Sequence, residues 1–150
     1  MTVVEPNRYE RTAARTDPSV PRQRAVAEKW TRGGLSQYLT YPQLGVAVLT
    51  VTGEVDIATA PRLAEMLQSR LCTQLRRLVL DLSDVRFLGV AGVSAIMTAE
   101  LRARCAGVEM VVVAGGNRPV TRALTATAGH HPLRWHTGPV ASAVVACSGA

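Results

Sequence analysis

Gly89 and Gly92 bracket the first turn of an apolar helix, and the strand leading to them is Leu78-Val79-Leu80-Asp81-Leu82, closed by the turn formers Ser83 and Asp84. Backbone N–H groups at a helix start lack intrahelical acceptors and carry the positive end of the macrodipole. Such a turn can therefore receive a phosphate or a partner's carboxylate. Gly89-Val90-Ala91-Gly92 has the outline of a nucleophile elbow without the nucleophile. The candidate hydroxyl, Ser94, comes late, one turn inside the helix, which argues against serine catalysis. Asp56 follows Gly53-Glu54-Val55 at another strand end, where its carboxylate can close an Asx turn and start the next helix. Asp81 and Asp84 read as turn formers, since no second carboxylate faces them at a spacing suited to acid–base work.

Other clusters are weaker. His130, His131 and His136 lie close together, but no Cys or carboxylate nearby completes a metal set, so they read as loop histidines. Gly115-Gly116-Asn117 lacks the Lys-Ser/Thr pair of a phosphate-binding loop and reads as a turn. No metal and no cofactor is expected.

The elements that must position these residues alternate between strand and helix. Tyr38 to Tyr41 reads as a first strand and Pro42 to Gly45 as a turn. Val46 to Glu54 follows as a second strand, with Val46, Val48 and Thr50 alternating against Ala47, Leu49 and Val51. Thr59 can cap a helix that has Pro61 in its first turn and an inner face of Leu63, Met66, Leu67 and Leu71. After the strand from about Arg77, a helix from about Ala91 to Cys105 turns Val93, Ile96, Met97 and Leu101 inward, and Gly107 ends it. A strand from Glu109 to Ala114 comes next, then a helix from Pro119 carrying Val120, Ala123, Leu124 and Thr127. A weak strand at Leu133 to His136 and a small-residue helix from Pro139 to Ala146 complete the order. Alternation of this kind implies crossover connections and parallel pairs within a mixed α/β sheet.

Composition fits one globular domain: 150 residues, 47% hydrophobic and 19% charged. The formal net charge of +6 is spread evenly between the first 38 residues and the rest, and one Phe, three Tyr and two Trp offer little for base stacking. Nucleic-acid binding is not expected. The longest apolar runs are strand-sized, and Glu5, Arg8, Glu10 and Arg11 occupy the place of a signal peptide's apolar block, so membrane insertion is not expected and a cytoplasmic location is. Residues 1–34 contain Pro6, Pro18 and Pro21 and no sustained apolar period; they read as a flexible N-terminal tail, with 35–150 as the folded domain. Within the tail, Val20 to Trp30 has an alternative reading as a short helix, because Val26 and Trp30 are one turn apart.

Gly53-Glu54-Val55-Asp56, the Asp81-Leu82-Ser83 strand and Phe87-Leu88-Gly89-Val90-Ala91-Gly92 resemble the STAS family of anti-sigma factor antagonists. In that family a strand ends in a GELD-type sequence, a second apolar strand ends in DLS, and F-[LM]-D-S-S-G opens a helix whose second Ser an anti-sigma kinase phosphorylates. Here Gly89 stands for the Asp, Val90 for the first Ser and Ala91 for the phosphorylated one. A methyl group has no oxygen to accept a phosphoryl group.

The resemblance implies a mixed sheet of four to five strands with about four helices packed mainly on one face. It also implies a non-enzymatic module that binds an anti-sigma factor with a GHKL-type kinase domain and releases a sigma factor. The partner-binding residues would be Asp56, Gly89, Val90, Ala91, Gly92 and Ser94. Two other readings are an accessory subunit bound to an ABC transporter ATPase and a small-ligand or nucleotide sensor using the same helix start. Cys72 and Cys105 should end the first two helices of the domain. If those helices lie side by side and run the same way, as the family fold implies, their ends can approach disulfide distance; the alternative is a pair of buried, inert thiols.

Overall fold

The computed structural model describes residues 10–12, 25–71, 74–127, 133 and 135–145. Among them are seven strands: β1 (Glu10–Thr12), β2 (Ala25–Arg32), β3 (Leu35–Gln43), β4 (Val46–Val55), β5 (Arg77–Leu88), β6 (Glu109–Val113) and β7 (Trp135–His136). The four helices are α1 (Ala60–Leu71), α2 (Val90–Cys105), α3 (Arg118–Thr127) and α4 (Val140–Val145). All seven strands form one sheet in which spatial order equals sequence order. β1 to β4 pair antiparallel, and β4 to β7 pair parallel.

This order explains the layering. The crossovers through α1, α2 and α3 all step in the same direction, and right-handed crossovers of that kind place their helices on one face. That face buries Ala47, Leu49, Val51, Leu78, Leu80, Leu82 and Val112 against Leu63, Leu67, Ile96, Val120 and Leu124. The alternate residues Val46, Val48, Val79, Val111 and Val113 point the other way and are covered by Ala143 and Val144 of α4. A strand buried on both sides needs an unbroken apolar run, which is what Leu78 to Leu82 supplies apart from Asp81.

The mixed α/β class and the helix order match the sequence reading, while the strand count is higher. The extra strands come from the segment read as a flexible tail. Residues 25–32 are β2, paired with β3 through Lys29↔Tyr38 and Trp30↔Gln37. Neither the flexible reading nor the short helix ending at Trp30 holds for them. Gly33 and Gly34 are the reason: with φ of 62° and 83° they form a two-residue hairpin turn, whose central positions both require positive φ. Trp30 then packs partly buried against the core.

Two further differences bear on the site. β5 does not stop at Asp81-Ser83-Asp84 but continues to Leu88, held by β4 through Gly53↔Val85, Glu54↔Phe87 and Val55↔Leu88. Register shifts at Thr50/Thr52 and Gly53/Glu54 absorb the irregular stretch. On α2, Leu101 is 54% exposed and not inward. The buried stripe runs Val93, Ile96, Ala99 and Ala103, and at 100° per residue Leu101 faces away from it.

Candidate functional site

The parallel strands β4 and β5 end side by side, and open α/β sheets present their ligand-binding crevices at such carboxyl ends. Val55 pairs with Leu88, and Gly89 N donates to Val55 O at 2.8 Å, so the turns into α1 and α2 are tied together at their roots. Asp56, Gly89, Val90, Ala91, Gly92 and Ser94 are thereby gathered at one end of the sheet.

The turn after β4 is built from polar side chains. Asp56 Oδ1 accepts from Ala58 N and Thr59 N, both at 2.9 Å, and lies 3.1 Å from Thr59 Oγ1. Thr59 Oγ1 accepts from Asp56 N at 2.9 Å and donates to Glu54 O at 2.8 Å. Thr59 was expected to cap α1, but its hydroxyl turns back into the preceding loop. The Asx turn expected of Asp56 is present. The Thr59 amide, helped by the Thr59 hydroxyl and the Ala58 amide, holds the Asp56 carboxyl below its ordinary value, against a desolvation that raises it. Ile57, at the tip of this turn, is 85% exposed.

The turn after β5 is built from backbone and packing. Gly89 is the N-cap of α2, with extended dihedrals and no side-chain capping bond. Its carbonyl accepts from Val93 N at 3.1 Å. Gly92 sits where a Cβ would lie 2.6 Å from Val55 Cγ1 and 2.7 Å from Leu88 Cδ1, so only glycine lets the helix approach both strand ends. Val90 is 71% exposed and Phe87 51%, while Ser94 faces solvent on the next turn. Between α1 and α2 runs a groove of about 430 Å³, lined by Ile57, Ala60, Ala64, Ala91, Ala95 and Arg102. Ala91 thus lines the same groove as the exposed tip residue Ile57.

Ile57 and Phe87 were not singled out from sequence. The available signal was an apolar residue inside an Asp-to-Thr turn and an aromatic one residue before a strand end. Cys105 is an exposed free thiol at the end of α2, while Cys72 lies outside the described residues, as do His130 and His131. His136 belongs to β7. No helix among the described residues is long and apolar enough to cross a membrane.

The STAS domain model matches residues 39–133, more than half of the chain, and the chain belongs to that family. It is 41% identical over 78 residues to proteins named anti-sigma-F factor antagonist RsfB from Mycobacterium tuberculosis strains CDC 1551 / Oshkosh and ATCC 25618 / H37Rv. That match covers 52% of this chain and 62% of those relatives. The structure is similar to that of an anti-sigma factor antagonist from Mycobacterium paratuberculosis, with 26% identity, a TM-score of 0.59, and coverage of 76% of this chain and 94% of the other. SpoIIAA in its unphosphorylated form shares the fold at 12% identity, with a TM-score of 0.63 and coverage of 76% and 97%.

Proposed function

We propose that this chain is a non-enzymatic, cytoplasmic anti-sigma factor antagonist. It binds an anti-sigma factor carrying a GHKL-type kinase domain, which then releases its sigma factor. The names of its relatives support the class of partner. The observation that carries the docking site is that the joined ends of β4 and β5 leave three large apolar side chains, Ile57, Phe87 and Val90, exposed to solvent, and exposed apolar surface of this kind marks interaction sites. Asp56, Gly89, Ala91 and Ser94 complete that surface, whereas Gly92, also expected there from the sequence, is buried beneath it against Val55 and Leu88.

The usual switch is absent from this reading. Ala91 occupies the position of the family's phosphorylated Ser and has no hydroxyl, while Ser94 lies most of a turn further along α2. Binding is then constitutive with respect to phosphorylation. Calorimetric titration with purified anti-sigma factors, and incubation with the same proteins and ATP followed by mass spectrometry, tests both parts. Saturable binding with no phosphate on residues 89–98 is expected. Stoichiometric phosphate on Ser94 would overturn the missing switch, and specific capture of an ABC ATPase with no anti-sigma binding would overturn the partner.

A further inference from the structure

β6 accompanies β5 only as far as Asp81↔Val113. Beyond that point β5 runs on beside β4 alone, through two register shifts, to deliver Phe87 and the Gly89–Gly92 turn. Something must hold this stretch, since backbone carbonyls without a ladder partner need another donor. The donor is Asn117, in the turn between β6 and α3. Its Nδ2 lies 2.6 Å from Val85 O, 3.0 Å from Ser83 O and 3.2 Å from Leu82 O, so its two hydrogens are shared among three carbonyls of the irregular stretch.

The other half of the same side chain is also engaged. Asn117 Oδ1 accepts from Val120 N at 3.3 Å and Asn117 O accepts from Thr121 N at 3.0 Å, which makes Asn117 the N-cap of α3. A single carboxamide therefore joins the start of one helix to the segment that aims another. An acceptor alone would serve the cap. The carboxamide serves both with separate atoms, Oδ1 for the cap and Nδ2 for the three acceptors that the β5 side presents.

We infer that Asn117 is a positioning residue for the docking surface: its amide sets the course of β5 beyond Leu82 and so fixes where Phe87, Gly89 and Val90 are presented. Its carboxamide bonds to the backbone of this chain. The inference rests on the docking reading above only for its consequence in binding, and not for the clamp.

The test uses Asn117→Ser and Asn117→Asp in the full chain. Both residues are good N-caps, so α3 keeps its start; Asp replaces the donor with a second acceptor, and Ser leaves one O–H on a shorter side chain in place of the two N–H of the carboxamide. Amide hydrogen exchange should accelerate at least tenfold at Gly89, whose N–H is bonded to Val55 O, and at Val93. Amides within β6 and α3 should keep their protection. Exchange at Gly89 and Val93 unchanged from the parent would overturn the clamp, as would equal acceleration throughout the molecule, which reports general destabilisation. Affinity for an anti-sigma factor that binds the parent chain should fall at least fivefold in both variants. Local acceleration with unchanged affinity would overturn the positioning role in docking and move the binding surface elsewhere, while leaving the clamp established.

Discussion

The turns that follow β4 and β5 perform the same task in different ways. Each carries the chain from a parallel strand into a helix on the same face of the sheet. After β4 the work is done by side-chain hydrogen bonds around Asp56 and Thr59. After β5 no side chain caps the helix, and the geometry rests on Gly92 fitting against Val55 and Leu88. The difference teaches which turn is free to change its chemistry. The polar side chains of the first, Asp56 and Thr59, are committed to their own loop, whereas the side chains of Val90 and Ala91 in the second bond to nothing in the loop and leave its surface chemistry free to vary.

The largest effect should come from filling the space that the second turn depends on. Gly92→Val should destabilise the fold by about 3 kcal/mol, in the range of forced overpacking, and be read as a lower denaturation midpoint. Tolerance of the substitution would show that packing does not hold this turn. The first turn leans instead on the N-terminal hairpin: Gly34 O accepts from Glu54 N at 3.2 Å, and a Cβ on Gly53 would lie 1.9 Å from that oxygen. A chain beginning at Leu35 loses β2, the Gly33-Gly34 turn and the packing of Trp30. Its thermal midpoint should drop by roughly 5 °C or more, about 1 kcal/mol or more in a domain of this size. An unchanged midpoint would detach the hairpin from the fold.

A third substitution separates binding from stability in the second turn. Ala91→Glu places a carboxylate at a helix N-terminus, where it is tolerated or mildly favourable for folding. It also puts a charge into the proposed docking surface, so affinity for an anti-sigma factor should weaken by more than about 1 kcal/mol, or roughly fivefold, in calorimetry. Unchanged affinity would place the interface elsewhere.

The smallest effect belongs to the first turn and depends on pH. Because hydrogen bonds lower the Asp56 pKa in the folded state, its ionised form contributes stability above the ordinary carboxylate value, and this is lost as pH falls through the lowered value. Asp56→Asn should therefore be less stable than the parent near neutrality, with the gap closing in acid. Urea midpoints at a series of pH values check this, and a gap independent of pH would show that the charge contributes nothing.

Much of the fold was legible locally. The alternation in Val46 to Val51, the three-and-four spacing of Leu63, Leu67 and Leu71, and the apolar run of Leu78 to Leu82 each announce their element, because the period of buried residues reflects its geometry. Asp56 and Gly89–Gly92, singled out by motif, do lie at the joined ends of β4 and β5. What was missed were elements whose stability lies in their partners. Arg32-Gly33-Gly34-Leu35 looked like an interruption between a tail and a domain, yet it is the turn of a hairpin whose strand has a weak local pattern. Leu101 looked buried because it is apolar, but the stripe beside it is completed by the small Ala99 and Ala103.

The sequence by itself determined the class of fold, the order of α1 to α4, the place of the turns at Asp56 and Gly89–Gly92 and the absence of a hydroxyl at position 91. These follow from residue type and spacing, which act locally. Tertiary structure alone decided that β5 runs past Asp81-Ser83-Asp84, residues whose turn-forming tendency favours a stop. Pairing with β4 and the reach of Asn117 from another connection satisfy the backbone there, and the small local preference yields to them. The same long-range pairing brings β2 into the sheet and leaves Ile57, Phe87 and Val90 exposed at the joined ends of β4 and β5. No window of sequence contains both sides of such contacts, and that is why they became visible only in three dimensions.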